Sequence, residues 1–473
     1  MGVSPLIQNP AYRVVPSLMA LLALGACMVG PNYQRPAAPT PTAYKEAAGW
    51  TPAQPSDAAE RLDWWTAFDD PILDNLESRV AISNQTVAAA AAAYQQARAL
   101  VAQQRAALYP TVNLNGGAGA SGVVGQPTMQ SYTLGLGATW APDLFGKIRR
   151  TIENARANAQ IDAADLANAR LAAQTEVALD YVQLRQQDEE KRILDATVEA
   201  YSRTLAITQN KYKVGVAAQS DVLSALAQLR STQASDADLG QQRPRLEHAI
   251  AILVGLPPAE LTLPPAPWTL AMPAIPPGMP STLLQRRPDI AAAERGAAAA
   301  SALIGVQVAA YYPSVTLTGG IGFASSELGP LLSASNAVWS AAGSAAETLF
   351  DAGARHAAVA AARAAYDAAV ANYRQAVLTA FGQVEDNLAA QRVLVGEQAL
   401  SMQARDAANK AELITRNEYN AGQVDYTSVV VAQAAALAAR NSELTVEAER
   451  LTTVVDLIAA LGGGWTTAQQ PKL

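Results

Sequence analysis

Apolar and polar residues alternate along three short stretches of the chain, and between these the apolar positions change to a helical spacing. Val112-Asn113-Leu114-Asn115 and residues 132–140, from Tyr132 to Trp140, put apolar side chains on one face and polar groups or glycine on the other. That is the two-residue period of a strand. Val315-Thr316-Leu317-Thr318 does the same and leads on to Ile321 and Phe323, whereas residues 338–349 alternate poorly. Val359, Ala362, Tyr366, Ala369, Tyr373 and Ala376 then step by three and four, as do Ile148, Ile152, Ala155 and Ala159. Such heptad-like seams predict helices. Neither run meets a proline before Tyr212-Lys213-Val214-Gly215 or Tyr419-Asn420-Ala421-Gly422. Each therefore predicts a rod of about 70 residues and about 100 Å, at roughly 1.5 Å per residue. Gly215 and Gly422 are placed as helix stops, each followed by a returning helix of about 30 residues that ends near Gly255 or Gly462. A shorter helix precedes each pair of strands, over 71–108 and 288–310.

The order of these elements is written twice. Ala107-Leu108-Tyr109-Pro110-Thr111-Val112-Asn113-Leu114 returns about 205 residues later as Ala310-Tyr311-Tyr312-Pro313-Ser314-Val315-Thr316-Leu317. Leu144-Phe145 returns as Leu349-Phe350, and Leu253-Val254-Gly255 near Ala460-Leu461-Gly462, at nearly the same spacing. This repeat is the reason to read 338–349 as a strand. Between the copies, residues 257–288 hold ten prolines, which suits a connector. The expected organisation is a signal peptide over 1–26, a proline-rich tether over 27–62 and a first repeat over 63–257. The connector follows over 258–287, then a second repeat over 288–465 and a tail over 466–473.

Alanine supplies much of the apolar half of the 473 residues, and aromatics make up 6%, a composition that favours long helices. The net charge of −7 gives no basic footprint for nucleic acid. One cysteine and two histidines, His248 and His356, are too few for a disulfide framework or a Cys/His zinc site. The cysteine has another reading. Arg13 precedes an apolar run that ends in Leu24-Gly25-Ala26-Cys27, a secretory signal closing on a lipobox-like sequence. The run is shorter than the roughly 20 residues that span a bilayer. Cleavage would leave Cys27 as an acylated N-terminus, the one covalent group expected, with no other cofactor; several acyl chains anchor far more firmly than one. Met28 follows where an Asp would signal retention in the inner membrane.

Strands of about ten residues with one apolar and one polar face fit a transmembrane β-barrel. An open sheet edge is not tolerated in lipid, and four strands cannot close a barrel. Other copies must supply the rest; three would give twelve strands, although the count alone does not select three.

At these residues the chain resembles the TolC-like outer-membrane efflux family, in its OprM/NodT-type lipoprotein branch. The resemblance is carried by Cys27 with Val29-Gly30-Pro31-Asn32-Tyr33-Gln34-Arg35-Pro36, and by Asp63-Trp64-Trp65 with Phe68, Asp70-Pro71 and Leu73. Asp143-Leu144-Phe145-Gly146-Lys147-Ile148-Arg149 adds to it, as do Leu283-Leu284-Gln285-Arg286-Arg287-Pro288-Asp289-Ile290 and Ala460-Leu461-Gly462-Gly463-Gly464-Trp465. Ala141-Pro142 departs from the family pattern, which usually has an acidic residue and Leu there. The resemblance implies a mixed α and β membrane protein: a homotrimer whose twelve-stranded β-barrel continues into a long periplasmic α-barrel, with a belt near its middle. It also implies a passive efflux duct anchored in outer-membrane lipid, docked to a periplasmic adaptor and an inner-membrane pump of the RND type. The alternative is a lipid-anchored periplasmic coiled-coil adaptor, although adaptors normally carry one hairpin where this chain has two.

The helix tips are the candidate contact points. The resemblance implies adaptor contact at Gly215, Val216, Gly422 and Gln423; the glycines also serve simply as helix stops. Asp425 and Asp221 are gate candidates, with helix capping as the plain alternative. Aligning the second tip one residue earlier puts Val424 in the place of Asp425. Leu461-Gly462-Gly463-Gly464-Trp465 lacks the Lys-Ser/Thr of a phosphate loop and reads as a terminus. No motif offers a catalytic group.

Overall fold

The computed structural model describes residues 28–46, 63–273 and 286–465. Cys27, the signal segment, part of the tether, part of the connector and the tail lie outside the described residues. After a short turn at Trp64–Phe68 come α1 (Pro71–Ser83), α2 (Gln85–Ala106), β1 (Thr111–Ser121) and β2 (Met129–Trp140). The long α3 (Lys147–Lys213) and returning α4 (Gln219–Leu253) complete the first repeat. The second runs α5 (Pro288–Ala309), β3 (Ser314–Ser325), β4 (Ala337–Ala346), α6 (Ala354–Asn420) and α7 (Tyr426–Ala460). The long helices have 67 residues each and the returning helices 35 each.

The repeat extends to the way each helix begins and ends. Asp143 accepts from the N–H groups of Ile148 and Arg149 at 3.0 and 2.9 Å, and Asp351 from those of Gly353 and Arg355 at 3.0 and 3.1 Å. Each aspartate satisfies orphan donors at the head of a long helix, and each also pairs with its arginine. At the far ends Gly215 and Gly422 adopt φ of +78° and +75°. Val216 N–H donates back to Lys211 O and Gln423 N–H to Glu418 O, closing two Schellman caps.

One expectation needs correction. The helix read over 71–108 is broken at Asn84, which is extended at φ −65° and ψ 124°. Its side chain accepts from Val87 N–H at 2.9 Å, capping α2, and donates to Leu253 O at 2.7 Å. The strands also run longer than their alternation showed. Gly116, Gly117 and Gly119 carry no apolar signal, and pairing with β2 extends β1 across them to Ser121. The poorly alternating stretch is a strand over Ala337–Ala346, held by ten pairs with β3. In α4, Pro244 sits within the helix, and Gly240 stands four residues before it, where the proline ring crowds the carbonyl.

The sheet is antiparallel in the order β1-β2-β3-β4. The helices beneath it pack in the corresponding order, α2 on α3, α3 on α5 and α5 on α6. Each of these helices continues a strand, so the two layers end at the same two margins: β1 with α2, and β4 with α6. The apolar core gathers around the middle of the rods. Trp64, Trp65, Phe68, Leu73 and Val80 pack there on Val177, Tyr181 and Leu184 of α3, with Val454 and Ile458 of α7. Tyr44 of the tether joins Ile290, Tyr373, Val377, Phe381 and Leu388 in a second cluster. Polar clamps hold the connector at this level. Arg185 donates to Pro264 O at 2.9 Å and Arg243 to Leu263 O at 2.6 Å, while Glu247 accepts from Leu263 N–H at 2.8 Å.

Candidate channel and its periplasmic tips

The registers sort the side chains of the sheet into two faces. On one, Leu114, Leu136, Ile321 and Trp339 form a row across all four strands. All four are exposed, Trp339 to 81%. A continuous apolar row facing outward is costly in water and suits lipid. On the other face a parallel row reads Thr111, Thr139, Thr318 and Ala342. Among the described residues no helix is long and apolar enough to cross a membrane.

Where strands meet helices the chain exposes Tyr109, Trp140, Tyr311, Tyr312, Leu349 and Phe350. Trp140 Nε1 donates to Leu108 O at 3.0 Å, and Phe145 stacks on Tyr312 with ring centroids 4.8 Å apart. Amphipathic rings gathered at one level mark a membrane–water interface.

The tether begins at this level. Val29 N–H donates to Phe145 O at 3.2 Å. A Cβ placed on Gly146 would lie 2.5 Å from Met28 Cγ, so only glycine admits the strand. Arg150, 2% exposed, donates to Val29 O and Gly30 O at 3.1 Å each and to Asn32 Oδ1 at 2.9 Å. Farther along, Tyr33 donates to Glu294 and Arg35 to Tyr373 Oη, and Glu385 accepts from the N–H groups of Lys45 and Glu46. The tether thus runs from the interface down to the central core. Sequence reasoning found its motif but not its receptor, because Arg150 lies about 120 residues from the backbone it grips.

At the opposite end are the two tips. Val214 and Val216 are 74% and 73% exposed at the first, and Gly215, Gly422 and Gln423 are exposed as well. Asp425 is the N-cap of α7: its carboxylate accepts from Ser428 N–H at 3.0 Å and Ser428 Oγ at 2.8 Å. These bonds hold its pKa below the usual carboxylate range, so it is charged at neutral pH. Asp221 lies in the first turn of α4 and accepts from Ala218 N–H at 3.3 Å. Capping therefore describes both aspartates; in Asp425 it leaves the carboxylate in solvent at the tip. The tips are tied to each other by a residue that pattern reading passed over. Lys211 Nζ donates to Tyr419 O at 2.8 Å and stands 3.7 Å from the centre of the Tyr419 ring, which packs edge-on against Tyr426. Lys211 sits just before the Tyr212-x-x-Gly215 motif, which was the available signal.

Paired hairpins, an amphipathic four-stranded sheet and a repeated order are shared with proteins of known class. The model of the outer membrane efflux protein family matches residues 76–256 and 279–463. The chain belongs to the outer membrane efflux protein family. It is 30% identical to the cation efflux system protein CusC of Escherichia coli over 465 residues, covering 96% of this chain and 99% of that one. It is 31% identical to the solvent efflux pump outer membrane protein SrpC of Pseudomonas putida over 467 residues, covering 96% and 98%. Among solved structures, the outer-membrane channel OprN superposes with a TM-score of 0.87 at 31% identity, covering 94% of this chain and all of that one. The open state of the Neisseria gonorrhoeae MtrE channel superposes at 0.85 with 28% identity, covering 93% and 98%. This family member is a TolC-like outer-membrane efflux channel, and the adaptor alternative falls away. The described residues bring together no group of three or more His, Cys, Asp or Glu side chains able to hold a metal.

Proposed function

We propose that three copies of this efflux channel join margin to margin, β1 and α2 of one against β4 and α6 of the next. They form a twelve-stranded barrel continuous with a helical tunnel. The observation that carries this is the coincidence of margins in the two layers. Open backbone along β1 and β4 cannot stand in lipid, and the same neighbour that covers it covers the alanine-rich flanks of α2 and α6. Cys27 carries the lipid, a reading supported by the docking of Met28 and Val29 beside Gly146, next to the interfacial aromatics. A periplasmic adaptor seats on the exposed valines and glycines of the tips and couples the tunnel to an RND-type inner-membrane pump, which supplies the energy. The channel itself performs no catalytic step.

Asp425 guards the mouth. Three ionised carboxylates facing one axis repel each other and attract cations, which makes the closed mouth sensitive to salt. In planar bilayers Asp425→Ala is expected to raise single-channel conductance severalfold, with the increase shrinking in high salt. Conductance unchanged by the substitution would remove Asp425, and with it this gate, from the account.

A further inference from the structure

Relatives at nearly the same identity are named for a cation and for solvents, so likeness alone leaves the cargo open. The wall of the barrel bears on it. The face opposite the apolar row carries Asn113, Asn115, Gly117, Gly119 and Ser121 on β1, and Ser131, Thr133, Gly135, Gly137 and Thr139 on β2. On β3 and β4 it carries Thr316, Thr318, Gly320, Gly322, Ser340 and Ser344, with Val338 among them, and Met129 of β2 lies on the same face. Across residues 110–142 and 313–346 the only Asp, Glu, Lys or Arg is Glu327, in the turn between β3 and β4. Below the strands the first charges are Glu347, one residue past β4, and the pairs Asp143 with Arg149 and Asp351 with Arg355, joined at 3.1 and 2.6 Å. Glycine also sets the width. A Cβ on Gly322 would fall 2.5 Å from Leu134 O and 2.6 Å from Gly135 Cα, so at that level β2 and β3 present bare backbone.

Selectivity between ions in a pore comes from rings of charged side chains, and a lining of one sign concentrates the opposite ion. A wall of hydroxyls, amides and glycine does neither. We infer that the barrel is a charge-neutral passage that sorts traffic by neither sign of charge, so that uncharged organic solutes pass it as readily as ions. Such a wall binds a passing molecule weakly and leaves space for a bulky one, which suits solutes that the pump has already selected. Discrimination between ions is then assigned to the periplasmic tips, where the Asp425 carboxylate is exposed. The inference rests on the channel reading and goes beyond it.

The test is the reversal potential of the purified channel in a planar bilayer under a potassium chloride gradient. Wild-type protein is expected to prefer potassium, and Asp425→Asn together with Asp221→Asn to bring the potassium-to-chloride ratio near unity. Strong cation selectivity surviving in that double variant would overturn the neutral wall. Thr133→Asp and Ser131→Asp, on the inner face, should each create a new preference for potassium severalfold above the parent. Leu136→Asp, on the lipid face, should instead block insertion. A conducting Thr133→Asp or Ser131→Asp channel with unchanged selectivity would overturn the assignment of faces and the proposal with it. A wild-type protein that carries no current would defeat the channel reading itself, a distinct outcome.

Discussion

Glu77 is fully buried in the central core, and neither carboxylate oxygen has a hydrogen-bond partner among the described residues. Burial raises its pKa well above the usual glutamate value, and the charge of Asp74 one turn away adds to the rise. An acid with a raised folded pKa contributes its full stability below the unfolded value, about 4.3. That stability is lost as pH rises through the folded value. The melting temperature is therefore expected to fall with rising pH above the ordinary glutamate range, and Glu77→Gln to flatten the fall. Parallel profiles of the two proteins would show that Glu77 is ionised in the fold at no cost. Little of this was legible in the sequence, where Glu77 reads as an exposed helical glutamate between Leu76 and Ser78. Arg150 is similar: it directly follows the Asp143-to-Arg149 motif and was not singled out, because the tether backbone it holds comes from another part of the chain. Gly215 and Gly422 were legible because the requirement they meet is local, a positive φ at a helix end.

At the scale of elements, periodicity located every long helix and three of the four strands, and the internal repeat supplied the last. What it missed were boundaries. The seam of α1 and α2 continues in phase through Asn84, and only the side-chain cap and the contact with Leu253 O show the break. Glycine-rich strand ends are silent for the same reason, since their pairing is decided by partners up to about 200 residues away. The tie between tips belongs to this scale, because it joins the end of α3 to the end of α6 through one ammonium group. Lys211→Met keeps the length of the side chain and removes the charge, which removes both the hydrogen bond and the attraction to the ring. The variant should cross-link less efficiently between cysteines introduced at 214 and 421, with trimer yield unchanged. Equal cross-linking would mean that the hairpins are held together elsewhere along their length.

Over the whole molecule, two facts fit together. The sheet and the helical layer stop at the same margins, and the tether spans from the membrane interface to the core at the middle of the rods. A single chain is therefore a wedge of a larger ring: its outward apolar row needs lipid, and its edge strands need other copies. The family relationship was legible from short motifs spread along the chain, while the shared order of strands and helices became visible only in three dimensions. The most direct test is the mass of the detergent-solubilised complex, measured by light scattering with the detergent contribution subtracted. Three chains per particle are expected; a stable, folded particle of one chain would contradict the account.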